Sequence, residues 1–582
     1  MTKNNILTVR TGILLLTLSV VSTTAYPQES DLVVISIVGT NDVHGELLPK
    51  PNRGGLTTLS GYVENLRATR ATDGGAVLLI DAGDMWQGTL ESNLTEGATI
   101  VAAYNALGYT AAAIGNHEFD FGPVGKLAIP RSEADDPRGA LKLRAIEADF
   151  PLLAANLIDT STDEPVNWDN VQPSTVVDVA GVRVGIVGVI TANALVTTMV
   201  ANTAGLRIGS LSAAIIREAE KLRAAGASII IVTAHAGGHC TEFGDPLDLS
   251  SCDHGGEIVQ VANALPADLV DHIIAGHVHE AMAHVVNGIA ITSSYSSTRA
   301  FSRVDFSVDR NTGTIQDRKI FSPQPLCPRV DSATGECAWV STDTKNTVPA
   351  EYEGRPVTPL ASILSIAERA AAFAAEIKME KLGVTLDTPF TLQGNPESSL
   401  ANLMSTALLE SIDADIAIHN VSGGIRMYLP KGELTYGNVF EMFPFDNRIV
   451  VVDVSGEDLR KIIARQAHNH RRRAGFSGMR VFVDCDGDQM SIRMTLDDDR
   501  DIQDSDRIRI VANDFLTTGG DDILTPAMPA DGFTYEDDPR LTRDVVADWL
   551  RNRGGHLSAD QFQDEKSRRW NLPDSLPATC TQ

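Results

Sequence analysis

Residues 33–45 read VVISIVGTNDVHG, an almost unbroken β-branched run that ends in a glycine turn carrying an aspartate and a histidine. A short apolar run without polar alternation suits a strand covered on both faces, as in the layered sheets of α/β domains. The turn then sets Asp42 and His44 just past the carboxyl end of that strand. Four further stretches repeat the arrangement. VLLIDAGD (77–84) ends at Asp84, and AAAIGNHEFDFG (111–122) offers Asn116, His117 and Asp120. IIIVTAH (229–235) leads to His235, and IIAGHVHE (273–280) offers His277 and His279. Val182–Val189 is another apolar run, while Ser212–Ala225 and Ile258–Leu265 carry helical spacing. In an open α/β sheet the carboxyl ends of the strands share one edge, so these separated motifs are expected to meet at one site.

The residue types at that edge fit metal chemistry. Asp42, His44, Asp84, Asn116, His235, His277 and His279 offer nitrogen and oxygen donors with no thiolate, which suits two divalent cations, Zn, Mn or Fe, better than Ca or a sulfur centre. A carboxylate such as Asp84 can bridge two ions held about 3.5–4 Å apart, which then activate a water. Gly39, Gly83, Gly115 and Gly276 are read as sharp turns off the strands. Singly, each residue has a duller explanation: a hydrogen-bonded histidine, an aspartate capping a turn, an asparagine tolerating left-handed backbone. The ordered set DxH, GD, GNHE, a strand-end His and GHxH is what carries the specificity.

The rest of the chain bounds the class. Its 582 residues hold 76 acidic and 48 basic side chains, a net charge of -28, with 43% hydrophobic and 21% charged residues. That is a folding composition long enough for more than one domain. The acidity argues against stable nucleic-acid binding over a broad surface, but not against a small anion met by local cations. Residues 1–25 read as a signal peptide, with Lys3 and Arg10 ahead of an apolar core at Ile13–Val21 and a small-residue site at Thr23–Ala25. An uncleaved anchor is the alternative, although the core is short for a span of about 20 residues. Cleavage removes two positive charges and no acid, taking -28 to -30. No other stretch approaches membrane length, so a periplasmic or secreted protein is expected. Export favours disulfides, and the cysteines pair locally as Cys240 with Cys252 and Cys327 with Cys337, leaving Cys485 with Cys580. A thiolate metal site competes with that pairing, but there is no CxxC.

A first domain over 31–322 is expected, then a linker segment over 323–385 rich in Pro, Thr, Ser and Asp at its start, then a second domain over 386–582. Pro359–Leu382 reads as one long connector helix stopped by Gly383. Beyond it, helices are expected at Leu400–Ser411 and Gly456–Ala467, and strands at Ile416–Ile418, Ile449–Val454 and Ile508–Ala512. Three motifs stand out there: NVSGGIR (420–426), FPFDN (443–447) and NDFLTTGGDD (513–522). Glycines bring backbone N–H groups close to a ligand, and Arg426 can grip an anion. Phe445 and Phe515 can sandwich a flat base, and an acidic residue suits ribose hydroxyls. Taken alone, either phenylalanine reads as core. The basic run HNHRRR (468–473) reads as a solvated loop, with an anion-steering patch as the alternative.

These motifs resemble those of the calcineurin-like metallophosphoesterases. With the second-half motifs their order resembles the exported 5'-nucleotidase / UDP-sugar hydrolase / 2',3'-cyclic-nucleotide phosphodiesterase family, over nearly the whole mature chain. The resemblance implies an α/β fold: a four-layer sandwich domain joined by a helix to a second α/β substrate-binding domain. It implies a dimetal phosphohydrolase, cleaving nucleotide phosphate esters by attack of a metal-bound hydroxide. Asp42, His44, Asp84 and His279 would hold one ion, and Asp84, Asn116, His235 and His277 the other. His117 would stabilise the phosphoryl group in the transition state, oriented by Asp120. Phe445 and Phe515 would stack on the base and Asp521 would bind the ribose, with Gly423, Arg426 and Asn447 completing the site. Family members are thought to rotate the second domain to carry substrate to the metals. Two departures favour "nucleotide" over "nucleoside monophosphate". QGNPESSLANL (393–403) has Gly394 near the place of a family arginine, and Val421 stands where an asparagine is usual, with Asn420 displaced by one. The competing readings are a related dimetal hydrolase of a sulfur-containing or non-nucleotide ester, and a nucleotide-scavenging protein. Preferred base, native metal and oligomeric state stay open.

Overall fold

The computed structural model describes residues 1–2 and 32–582, apart from 126, 128, 131, 341–342, 344, 394–396, 422–423, 470–472, 564–567, 574–575, 578 and 581–582. The signal peptide and the positions of Gly394, Gly423 and Arg471–Arg472 therefore lie outside the described residues.

Two sheets face each other in the first half. One is centred on the parallel strands β1 (Leu32–Thr40), β2 (Ala76–Asp81) and β3 (Ala111–Ala113). The other contains the parallel strands β4 (Val182–Ile190), β5 (Ile229–His235) and β6 (His272–Ala275). Antiparallel β7 (Ala300–Asp309) flanks β1 in the first sheet. Ile35, Ile37 and Ile80 from one sheet meet Ile186, Ile231 and Ile274 from the other in an apolar inter-sheet core. Helices α1 (Gly55–Asp73) and α2 (Ala98–Leu107) cover the outer face of the first sheet, and α3 (Leu211–Ala224) and α4 (Glu257–Ala264) that of the second. The result is the expected four-layer α/β sandwich. The apolar runs are continuous because nearly every strand in it is covered twice: all seven residues of β5 are buried.

The linking segment is packed rather than loose. Leu326, Cys327, Ala350 and Val357 sit in the same core as α1, as do Ile363, Ala367 and Ala370 of helix α5 (Ala361–Lys378). That helix is shorter than expected. Lys381–Leu386 is a strand, paired with Gly432–Thr435 and Gly555–Leu557, and Gly383 (φ 70°) lies at an irregularity in its register rather than at a helix end. Good helix formers at 379–382 are overridden because strand pairing there buries Leu382 and Val384.

The second half is built on a mixed sheet containing β8 (Ile416–His419), β9 (Arg448–Ser455) and β10 (Arg507–Asn513). Helix α6 (Ser399–Ser411) packs on one face and α7 (Gly456–Ala467) on the other. Disulfides join Cys240–Cys252, Cys327–Cys337 and Cys485–Cys580, so the thiolate-site reading falls. The basic run is not wholly solvated: Arg473 is buried, its guanidinium over the Trp570 ring. Among the described residues, no helix is long and apolar enough to cross a membrane.

Candidate functional site

The five first-half motifs converge at the carboxyl ends of β1, β2 and β3 from one sheet and β5 and β6 from the other. Convergence is achieved against backbone preference. Asp42, His44, Asp84, His277 and His279 all have positive φ, between 49° and 76°, in a region that side chains other than glycine enter at a cost. Of the four glycines read as turns, only Gly83 needs its φ (90°). Gly115 is required for room, since a Cβ there would run into Oδ1 of Asp84. His235 is the last residue of β5 rather than part of the following loop.

The donor atoms form a set that calls for cations. His44 Nδ1 donates to the Gln87 carbonyl and His235 Nδ1 to the Ala82 carbonyl, both at 2.8 Å, which turns each Nε2 toward the centre, where it can take a proton or an ion. Asn116 Nδ2 donates to the Thr197 carbonyl (2.8 Å), so its Oδ1 faces His235 Nε2 (2.9 Å) and His277 Nδ1 (3.1 Å). Asp84 Oδ2 lies 3.3 Å from His235 Nε2 and 3.9 Å from His44 Nε2. His279 Nε2 is 3.0 Å from His44 Nε2 and 3.4 Å from Asp42 Oδ1. Ligand atoms of Asp42, His44, Asp84 and His279 fall within 4.8 Å of one another. Buried acceptors facing acceptors are stable only around positive charge, so the residues present fit divalent ions.

The same logic appears in the titrations. Burial would raise the Asp42 carboxyl, but the hydrogen bond and charge of His279 bring it down to about 2. Burial would lower His235, yet the Asp84 carboxylate holds it up at about 10; burial and then the His235 charge push His277 down to about 4. A proton and a metal ion compete for these lone pairs.

Beside the ligands, His117 Nδ1 bonds Asp120 Oδ2 at 2.6 Å, and its Nε2 accepts from Arg426 Nη2 at 2.8 Å. Arg426 comes from the second half of the chain, so the two halves meet at this contact. A cavity of about 430 Å³ opens from it. Its lining includes Asp84, Asn116, His117 and His277 at one end and Phe445, Asn447, Phe515 and Asp521 at the other. Asn420 lines it too and donates to Asp521 Oδ2 (2.7 Å), so the displaced asparagine still reaches the pocket. Gly520 is fixed by the Phe515 ring, which a Cβ there would strike.

Several residues that hold this site were not singled out in the sequence. Glu118 accepts from the backbone N–H groups of Asp84, Met85 and Gly115 (2.7–2.8 Å), fastening two ligand turns together. Burial, then the Asp84 charge, raises it to about 8. Asp514 Oδ1 accepts from Asn447 Nδ2 and the Arg448 N–H, both at 3.1 Å, joining the two loops that carry Phe445 and Phe515. Arg543 donates to the Phe445 carbonyl (3.0 Å) and Asp446 Oδ1 (2.8 Å). Gln87 Nε2 and Asn93 Nδ2 both donate to the Pro444 carbonyl (2.9 and 3.1 Å), pinning the FPFDN loop to the first half. Only Glu118 left a signal, as the last letter of GNHE.

Comparison with known proteins agrees with this geometry. Residues 35–281 match the family model described as calcineurin-like phosphoesterase, and residues 379–528 that of the 5'-nucleotidase C-terminal domain. The chain is 26% identical over 534 residues to the cell wall protein Lmo0130 of Listeria monocytogenes, covering 84% of this chain and 64% of that longer protein. It is 25% identical over 458 residues to the protein UshA of Yersinia enterocolitica, covering 74% and 76%. The solved 5'-nucleotidase precursor from Thermus thermophilus superposes with a TM-score of 0.69 at 20% identity, covering 93% of this chain and all of that one, a likeness of fold.

Proposed function

Since the chain belongs to the family that joins a calcineurin-like phosphoesterase domain to a 5'-nucleotidase C-terminal domain, a family of phosphoric ester hydrolases, we propose that it is an exported dimetal enzyme cleaving phosphate esters of nucleotides. The observation that carries this is one continuous cavity with a cation-demanding cluster at one end and the Phe445, Phe515 and Asp521 group at the other. Asp42, His44, Asp84 and His279 would hold one ion, and Asp84, Asn116, His235 and His277 the second, with Zn, Mn and Fe all suited to the donors. When bound, such a pair neutralises phosphate oxygens and lowers the pKa of a water.

The chain's own residues do the rest. Residues 31–322 supply the ion ligands, and 386–582 the nucleotide contacts, joined by 323–385. A phosphoryl group enters where Arg426 now meets His117, exchanging that contact for charged donors on its equatorial oxygens. Asp120 holds the His117 ring through Nδ1, so that Nε2, once it carries a proton, donates to the phosphate position. Phe445 and Phe515 take the base between them. Asp521 takes the ribose, and Asn420 and Asn447 complete the pocket.

A panel of AMP, ATP, UDP-glucose, 2',3'-cyclic AMP and bis-p-nitrophenyl phosphate, run with Mn, Co, Zn and EDTA arms, tests the reading. Metal-dependent turnover that prefers nucleotides over the aryl ester is expected. Turnover of none of the nucleotides with any metal would refute it.

A further inference from the structure

Strand β4 ends at Ile190, and after a short turn at Ala194–Val196 the chain runs through Thr197, Thr198 and Met199 along the wall of the cavity. Each of these three consecutive residues holds a different part of the site. The Thr197 carbonyl takes Asn116 Nδ2, which turns Oδ1 of that asparagine toward His235 and His277. Thr198 Oγ1 donates to Asp120 Oδ1 at 2.8 Å. Met199 Sδ accepts from Asn447 Nδ2 at 3.1 Å, anchoring the segment to the second half. Thr198 is 2% exposed, so its hydroxyl is held in place by its surroundings.

Asp120 has two carboxylate oxygens and each has one task. Oδ2 bonds His117 Nδ1, and Oδ1 takes the Thr198 hydroxyl. The torsion that swings an aspartate carboxylate is broad, so one hydrogen bond does not fix its plane and two do. The plane of Asp120 in turn sets the plane of the His117 ring. We propose that Thr198 is a positioning residue for the reaction: by holding Oδ1 of Asp120 it keeps Nε2 of His117 aimed at the phosphoryl position beside Arg426. This rests on the phosphoesterase reading of the site. The Thr198 hydroxyl donates to Asp120 and not to an ion ligand or a base-pocket side chain, so its loss should fall on turnover and not on substrate or metal affinity.

Thr198→Val keeps the shape and removes the hydroxyl. With AMP or whichever ester the wild type cleaves best, kcat should fall about 10–100-fold, the range for partners that orient active-site groups. KM should stay within about twofold, and bound metal and melting temperature should match wild type. Thr198→Ser should recover most of the loss. In a His117→Ala background, Thr198→Val should cost nothing further, because the ring it positions is gone. A wild-type kcat in Thr198→Val would overturn the inference, as would a full additional loss on top of His117→Ala. So would a loss that tracks lower metal content or a lower melting temperature, or that Thr198→Ser fails to recover. A wild type that cleaves no phosphate ester would overturn the functional reading, and this inference with it.

Discussion

His117 and the ion ligands sit within a few ångströms of one another, yet they answer to different chemistry. His117 bonds Asp120 and Arg426 and stands 4.0 Å from Asp84 Oδ2, whereas His235 and His44 turn their Nε2 atoms to the centre. His117→Ala should therefore retain full bound metal by elemental analysis while kcat drops by several orders of magnitude. Asp84→Asn should lose metal and activity together. The ligands were legible because each stands at or just past the end of an apolar run, a feature that resides in a few neighbouring letters. Thr198, Asp514 and Arg543 were not, because their partners lie 78, 67 and 97–98 positions away, separations with no local pattern. Two buried histidines outside the site make the fold sensitive to acid. Burial lowers His419 from 6.5 to about 4, and burial followed by the Arg318 charge lowers His272 to about 3. The unfolded chain takes the proton first, so this stability is complete above pH 6.5 and is lost as pH falls toward 4. The His419 share is about 3 kcal/mol. Urea midpoints measured from pH 7 to pH 4 should fall steeply in the wild type and less so in His419→Gln.

At the scale of elements, the proposed function gives the FPFDN loop the task of gripping the base. It leaves the short helix Tyr436–Met442 and enters β9, and its backbone is held from outside by Arg543 on the helix Thr542–Arg553. Arg543 is buried over the Phe440 ring and bonds Tyr436, Phe445 and Asp446 at once. Arg543→Met should raise KM for nucleotides about tenfold with a smaller change in kcat, and cost roughly 1–3 kcal/mol of stability for the groups left unpaired. An unchanged KM would show that the loop holds its shape unaided. The elements themselves were largely readable: Gly456–Ala467 occurs as expected, with Ser455 Oγ capping it through the Asp458 N–H. The connector helix was overread, because helix propensity at 379–382 carries no information about the two strands waiting to pair there. The segment at Leu326–Val357, read as a linker from its Pro, Thr, Ser and Asp content, lays a few apolar residues into the first-half core.

At the scale of the whole molecule, the ligand cluster belongs to the first half and the cavity lies where the two halves meet. Arg426 reaches His117, Gln87 and Asn93 reach Pro444, and Lys50 and Lys378 both pair with Glu441 across the seam (3.2 and 3.1 Å). If substrate reaches the place between Arg426 and His117 by separation of the halves, turnover needs that seam to open. Cross-linking the halves across it should permit at most a single turnover of substrate bound beforehand, and reduction of the cross-link should restore cycling. Steady turnover by the cross-linked enzyme would mean that opening is not needed. The net charge of -28 belongs to this scale as well. An acidic surface repels polyanions, so a phosphate must be drawn in by charge concentrated at the seam, by Arg426 and by the ions the ligand cluster demands. That demand is the central claim, and it is tested most directly by stripping the protein with EDTA and titrating Mn or Zn back while following bound metal and AMP hydrolysis together. No hydrolysis without metal, and a plateau at two ions per chain, is the predicted result. Full hydrolysis by the stripped protein, or a plateau reached with no ion bound, would contradict it.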